Sequence, residues 1–167
     1  MKFSASRTAL LGLLFALSLV LSLLEASISG LIPIPGIKLG LSNIVTMYCL
    51  FCLGKREAFF IAALKSLFVL LTRGVVGAAM SFCGGVCSVA AMLLLTIVGK
   101  GRFSYTFTSV LGGVSHNAGQ IGVAIVLLHS NLVVYYLPIL AISGVLTGII
   151  TGFLLERLLP HLNRLFH

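Results

Sequence analysis

The stretch GLIPIPGIKLGLSN, residues 30–43, interrupts a chain that is otherwise almost continuously apolar. It contains two prolines, Pro33 and Pro35, and a single lysine, Lys38. Proline and glycine end regular helices, so the stretch predicts a boundary between apolar helices. An irregular loop at membrane depth is tolerated where it lines protein or a cavity. We therefore expect either a compact loop that holds Lys38 over a binding pocket, or an ordinary turn with a solvated lysine.

The composition on both sides of this stretch is that of a membrane protein. Of 167 residues, 59% are hydrophobic and only 8% are charged, and the mean hydropathy is +1.20. Such a chain has too little polar surface to cover a soluble globule. Its net charge of +8 comes from basic residues that punctuate apolar blocks. They form no stripe with interleaved aromatic residues, so nucleic acid is not an expected partner.

The apolar blocks predict one all-α transmembrane domain over residues 1–167, a bundle of about six helices. A helix needs about 20 apolar residues to cross the hydrocarbon core. The predicted helices cover residues 8–29, 40–54, 57–76, 78–98, 104–129 and 132–156. The second block is short for a full span. The first block is predicted to be a retained helix and not a cleaved signal peptide, because five further apolar blocks follow it.

Basic residues indicate how this bundle is oriented. Eight of the eleven fall on one side of the predicted membrane: Lys2, Arg7, Lys55, Arg56, Lys100, Arg102, Arg157 and Arg164. Basic residues accumulate in cytoplasmic segments. Both termini are therefore predicted to be cytoplasmic, in a multi-pass protein of the cell membrane whose surroundings are membrane lipid.

Three cations do not follow this topology: Lys38, Lys65 and Arg73. A charge near the centre of a spanning helix costs roughly 2.5 to 3.5 kcal/mol. Lys65 and Arg73 are separated by about 80° around a helix and about 12 Å along it, so one face could present both. Glu25, near the outer end of the first helix, is the natural counter-charge. Three cations with one anion favour a small anionic ligand, although snorkelling or pairing with Glu25 is the alternative.

A second polar group lies in the motif SHNAGQ, residues 115–120. His116, Asn117 and Gln120 share one helical face, which should look inward because these groups would lack partners in lipid. With Asn43 they are predicted to line a ligand site in the outer half of the bundle. The alternative is that these amides and the imidazole join neighbouring helices.

Small residues recur at intervals of four in two helices. One row consists of Gly144, Gly148 and Gly152, which predicts close helix packing. A second row in the first helix consists of Ala5, Ala9, Gly12 and Ala16. That row could pack inside the bundle or dock on another membrane subunit.

Signs of catalysis are scarce. The sequence contains no aspartate, so the aspartate-rich motifs that hold magnesium on prenyl diphosphates are absent, as is a Walker-type phosphate loop. The pairs Cys49 and Cys52, and Cys83 and Cys87, are interpreted as small hydrophobic residues. We expect no metal site, no cofactor and no catalytic residue.

Two segments resemble a known family. The run IPIPGIKLGLSNIVTMYCLFCLGKREAF (32–59) and the run GGVSHNAGQIGVA (112–124), together with Lys65 and Arg73, resemble the Gx transporter family. Its members are also labelled heptaprenyl diphosphate synthase component I. This family is similar to the substrate-binding S-components of energy-coupling factor (ECF) transporters, which have six helices and rely on a separate transmembrane subunit and ATPases.

The resemblance implies a function and a partner. The first-helix row from Ala5 to Ala16 is similar to the docking motif of S-components. The synthase label implies a link to isoprenoid or quinone metabolism and does not establish catalysis. We therefore expect the substrate-binding subunit of a transporter for a small anionic solute, in a bacterial plasma membrane. The alternative is a non-transporting accessory subunit that assists a prenyltransferase in heptaprenyl diphosphate synthesis; an enzyme ranks third.

Overall fold

The computed structural model describes residues 5–29, 40–100, 102–129 and 131–166, and within these ranges the chain is helical and has no β-strand. The helices are α1 (Ala5–Ser29), α2 (Leu41–Tyr48), α3 (Lys55–Val98), α4 (Tyr105–Leu128) and α5 (Leu137–Phe166). A π-helical turn, Cys49–Leu53, continues α2, and a 3-10 helix, Asn131–Tyr136, precedes α5. The predicted loop that carries Lys38 lies outside the described residues.

Four helical stretches in the described ranges are long and apolar enough to cross a membrane. They are Arg7–Ile28, Lys55–Val98, Tyr105–Leu127 and Leu132–His161, and a shorter apolar helix covers Leu41–Leu53. The predicted all-helical fold is thereby confirmed, with helices of membrane length in the described ranges. Six crossings and cytoplasmic termini stay predictions.

The long helix α3 folds back on itself at Gly74. This glycine has φ 75° and ψ −173°, a conformation that is essentially restricted to glycine. A Cβ atom on Gly85 would lie 3.3 Å from the Cβ atom of Ala62, whereas a straight helix would separate these residues by roughly 35 Å. Residues 55–73 and 75–98 therefore lie side by side as a helical hairpin. The sequence predicted this break at residue 77, and the structure places it at the glycine whose backbone makes the turn.

The last helix is longer than predicted. The predicted span ended at about residue 156, whereas α5 continues to Phe166 and includes Pro160. Leu155 and Leu159, four residues apart, are both buried, so the apolar face of α5 continues past Glu156. This packing maintains the helix where proline removes one backbone hydrogen bond.

The core lies around α2. Buried residues of α1, α2, both halves of α3 and α5 form one cluster, which includes Leu14, Met47, Ile61, Val89 and Leu155. Because α2 is surrounded by these elements, residues on it are well placed to reach a central site.

One end of the bundle gathers the starts of α1 and α3 and the end of α2. Arg7 Nη2 lies 2.7 Å from Glu57 Oε1 and donates a 2.9 Å hydrogen bond to the Leu53 carbonyl. The rings of Phe51 and Tyr105 contact edge to face, with centroids 4.8 Å apart, so α4 begins at this end too. This end is the one that the distribution of basic residues predicts to be cytoplasmic.

The pairing of α4 with α5 depends on glycine. A Cβ atom on Gly148 would lie 2.4 Å from the Cα atom of Val110, and one on Gly152 would lie 2.5 Å from the Cα atom of Thr106. Gly144 is similarly close to the backbone of Gly113. The row of glycines predicted to allow close helix packing is confirmed, and it brings the hydroxyl-bearing residues between α4 and α5 together.

Candidate functional site

A hydrogen-bonded polar cluster of Glu25, Gly40, Asn43 and Lys65 connects α1, α2 and α3. The Gly40 N–H donates to Glu25 Oε1 at 2.6 Å. The Asn43 N–H donates to the Gly40 carbonyl at 2.8 Å, and Lys65 Nζ donates to Asn43 Oδ1 at 3.2 Å. Three residues predicted for the site, Glu25, Asn43 and Lys65, therefore lie together.

Local sequence explains why the cluster forms at the start of α2. Gly40 adopts φ 72° and begins the helix without a side-chain cap, a conformation that glycine adopts at little cost. Glu25 is only 4% exposed, and its carboxylate accepts the Gly40 N–H at the positive end of the helix dipole. In the described residues, Glu25 therefore hydrogen-bonds to the start of α2. The sequence predicted instead that Glu25 is the counter-charge to the buried cations.

By helix length, this cluster lies near the middle of helices that are long enough to cross a membrane. Gly40 is roughly 20 Å from the Leu53 end of the short helix, and Lys65 is about 15 Å from the start of α3, against a hydrocarbon core of about 30 Å. A Cβ atom on Gly40 would lie 3.4 Å from Thr151 Cγ2 and 3.6 Å from Thr147 Cβ. Both threonines belong to the middle of α5.

A small polar cavity adjoins the cluster between α2, the second half of α3, α4 and α5. It is lined by Gly40, Asn43, Met47, Ser88, Met92, Ser109, Gly113, Thr147, Gly148 and Thr151. The centre of a water molecule can move in about 10 Å³ of this space, so the cavity has room for about one water. A hydrogen bond of 2.7 Å joins the hydroxyl groups of Ser109 and Thr151. Asn43 belongs both to the cluster and to the cavity wall.

The SHNAGQ residues lie between helices and do not line this cavity. His116 Nε2 and Gln120 Nε2 are 3.0 Å apart, and both residues pack on Gly84 of α3, where an added Cβ would lie 2.9 Å from the His116 carbonyl. Asn117 Nδ2 donates to the Leu140 carbonyl of α5 at 2.6 Å. The structure thus directs His116 and Gln120 toward α3, and Asn117 toward α5. Their role in ligand binding stays a prediction.

Arg73 lies apart from the cluster. Arg73 is exposed and immediately precedes the turn at Gly74. Lys65 lies eight residues earlier in the same half of α3 and is half-buried. The pair that the sequence placed on one face of a helix is thus divided between the turn of the hairpin and the interior.

The predicted docking row is accessible on α1. Ala9, Gly12 and Ala16 are exposed, and an added Cβ on Gly12 would meet no atom within 4 Å. The side chain of Ala5 lies outside the described part of the chain. The exposed row faces away from the bundle, so it does not contribute to internal packing at Gly12.

Several residues of the cavity wall were not predicted as site residues from the sequence. Ser88, Ser109, Thr147 and Thr151 are isolated hydroxyls in apolar helices, and such residues commonly bond to their own helix backbone. Thr151 does so with the Thr147 carbonyl at 2.8 Å. Only the position of Thr147 and Thr151 beside the glycine row gave a signal that they face another helix.

Comparison with known proteins identifies one relationship. A family model described as heptaprenyl diphosphate synthase component I matches residues 14–158 of the 167. The matched range includes the polar cluster, the cavity and the SHNAGQ motif. No curated protein and no solved structure matches the chain at a significant level.

Proposed function

We propose a function for the chain from the premise that it belongs to the heptaprenyl diphosphate synthase component I family, which the match over residues 14–158 shows. The chain is the substrate-binding membrane subunit of a transporter, and it binds a small anionic solute at the polar cluster between α2 and α3. The solute carries a phosphate, diphosphate or carboxylate group.

The hydrogen bond from Lys65 Nζ to Asn43 Oδ1 carries this proposal. It holds a half-buried ammonium group against Asn43, which belongs to the wall of the polar cavity, in a helix long enough to cross a membrane. An ionisable side chain at this depth is costly and is commonly part of a substrate or ion pathway. An ammonium group is also a strong hydrogen-bond donor to an anion.

The charge balance of the chain favours an anionic ligand. Eleven basic residues stand against three acidic ones, Glu25, Glu57 and Glu156. Glu57 is paired with Arg7 at the end of the bundle, and Glu156 accepts hydrogen bonds from Thr106. Carboxylates of the chain itself therefore cannot balance all of its cations, and an anion that binds near Lys65 would reduce the excess positive charge.

The start of α2 already has one anionic group beside it. The first turn of a helix has backbone N–H groups without intrahelical partners, and its dipole favours negative charge. Glu25 already places a carboxylate there, at the Gly40 N–H. Because this carboxylate occupies the positive end of α2, the attraction for a further anion is assigned to Lys65.

Binding requires the bundle to open. The cavity has room for about one water molecule, which is less than a diphosphate needs. The start of α2 lies against α5, where Gly40 is close to Thr147 and Thr151. Movement of α2 away from α5 would enlarge the cavity beside Asn43.

Two partner classes distinguish the proposal from its alternative. The exposed α1 row offers a surface for a transmembrane subunit, which with ATPases would supply the energy for transport. The family description names heptaprenyl diphosphate synthase, so the alternative is an accessory subunit that binds a diphosphate beside a prenyltransferase. Catalysis by the chain itself has no support in the sequence, which lacks aspartate for a magnesium motif.

Purification from native membranes in mild detergent tests the proposal. Co-isolation of a membrane subunit with ATPases supports the transporter, and co-isolation of a prenyltransferase supports the accessory subunit instead. Calorimetric titration of the purified chain with inorganic diphosphate tests anion binding independently. Absence of binding to diphosphate, phosphate and small carboxylates would contradict the proposed ligand class.

A further inference from the structure

The connection between α4 and α5 exposes apolar and aromatic side chains. It contains the 3-10 helix Asn131–Tyr136, in which Leu132 is 71% exposed and Tyr135 is 79% exposed. Val134 and Tyr136 are exposed too. Connections that face water are ordinarily polar, whereas in this one the polar residues 129–131 are followed by five apolar or aromatic residues, 132–136.

Charge distinguishes this connection from two others in the described chain. Residues 103–155 contain no Asp, Glu, Lys or Arg. The turn before α3 is followed at once by Lys55, Arg56 and Glu57, and the connection between α3 and α4 contains Lys100 and Arg102. Those segments have charges that favour water, whereas the connection between α4 and α5 has none.

We infer that the 3-10 helix Asn131–Tyr136 lies in the boundary between lipid headgroups and acyl chains and anchors the α4–α5 pair at a fixed depth. Tyrosine combines an apolar ring with a polar hydroxyl and is enriched at this level of the membrane. At this level the hydroxyls of Tyr135 and Tyr136 can bond to headgroups and water, while the tyrosine rings, Leu132 and Val134 contact the upper part of the acyl chains. Under the predicted topology this boundary belongs to the outer leaflet.

The surrounding surface identifies lipid as the occupant. Val126 and Leu127 at the end of α4, and Ile139 and Ile142 at the start of α5, are exposed as well. They belong to stretches of membrane length, so the exposed side chains of the connection continue a lipid-facing surface.

The absence of tryptophan from the sequence makes the test direct. The variant Tyr135→Trp provides a single fluorescent reporter in the full chain, reconstituted in phosphatidylcholine vesicles. The lipids carry bromine either near the headgroup or near the end of the acyl chain. Ile142→Trp on α5 is the matched control, N-acetyltryptophanamide in buffer is the reference for water, and Tyr136→Trp replaces the first variant if that one does not fold.

For Tyr135→Trp we expect a tryptophan emission maximum at shorter wavelength than that of the reference. We also expect a greater loss of emission with bromine near the headgroup than with bromine near the end of the acyl chain. Ile142→Trp should show the reverse order of quenching. Quenching of Tyr135→Trp by aqueous iodide, with no loss from brominated lipid, would place the connection in water. Insensitivity to both iodide and brominated lipid would show that the connection is covered by protein. Stronger quenching by deep bromine would place the connection in the acyl core. Each of these outcomes overturns the inference.

Discussion

Replacing Lys65 by methionine removes the ammonium group and keeps much of the length of the side chain. In the ligand-free chain the variant loses the 3.2 Å hydrogen bond to Asn43, and a hydrogen bond from a charged group contributes about 1.5 to 3 kcal/mol. It also removes a charge that costs roughly 2.5 to 3.5 kcal/mol at membrane depth. These contributions oppose each other, so the expected change in unfolding free energy ranges from about 0.5 kcal/mol less stable to about 2 kcal/mol more stable.

The bound state should respond in the opposite direction. An anion at the cluster receives a charge-assisted hydrogen bond from Lys65 Nζ, and its loss should weaken binding by about 1.5 to 3 kcal/mol. This corresponds to roughly a 10-fold to 150-fold increase in Kd. Lys65→Met should therefore separate ligand affinity from the stability of the ligand-free chain.

Calorimetric titration with diphosphate and thermal unfolding in detergent measure these two quantities. Lys55→Met is the matched control, because Lys55 is exposed at the start of the same helix and should affect neither quantity strongly. Arg73→Gln tests whether the exposed cation at the turn contributes to binding, as the sequence predicted. Unchanged affinity of Lys65→Met together with a collapsed ligand-free protein would show that Lys65 is structural and would refute the reasoning.

Three further substitutions test the fold and the docking surface. Gly74→Ala should destabilise the chain by about 1 to 3 kcal/mol, because alanine does not readily adopt φ 75° and ψ −173°; thermal unfolding measures this effect. Gly148→Ala should also destabilise it by about 1 to 3 kcal/mol or more, because the new Cβ would lie 2.4 Å from the Cα atom of Val110, again measured by thermal unfolding. Gly12→Leu should abolish co-purification of a membrane partner, measured by affinity isolation, while diphosphate binding to the isolated chain persists.

Each of these predictions has a contradicting result. Gly12→Ala and Gly122→Ala are matched controls for the two alanine variants, since an added Cβ would meet no atom within 4 Å at either position. If Gly74→Ala or Gly148→Ala were as stable as its control, the turn or the close helix packing would be wrong. If Gly12→Leu lost folding and ligand binding together with the partner, the row on α1 would belong to internal packing.

The helical membrane fold was predictable because composition and segment length determine it. Apolar blocks of about 20 residues have few stable alternatives to spanning helices in a bilayer. The close packing of α5 on α4 followed from the spacing of Gly144, Gly148 and Gly152, which removes side chains along one row of the helix. The exact turn of α3 did not follow, because residue 74 and residue 77 are both glycine, and only the backbone angles distinguish them.

The candidate site was predictable only in part. Lys65 and Glu25 were identifiable because charged residues are rare in apolar helices, and Asn43 because it follows the irregular loop. The direction in which His116, Asn117 and Gln120 point depends on which helices pack beside α4, and a helical wheel does not contain that information. The hydroxyls of the cavity gave little signal, since a serine or threonine in a membrane helix is commonly satisfied by its own backbone.

Mass spectrometry of small molecules released from the purified chain tests the proposed anion binding most directly. Wild-type protein and the variants Lys65→Met and Lys55→Met are isolated from the same native membranes, denatured, and compared for compounds retained per protein. The account predicts a compound with a phosphate, diphosphate or carboxylate group in the wild type and in Lys55→Met, and its depletion from Lys65→Met. An equal amount in all three proteins, or no anionic compound in the wild type where direct titration also detects no binding, would contradict it.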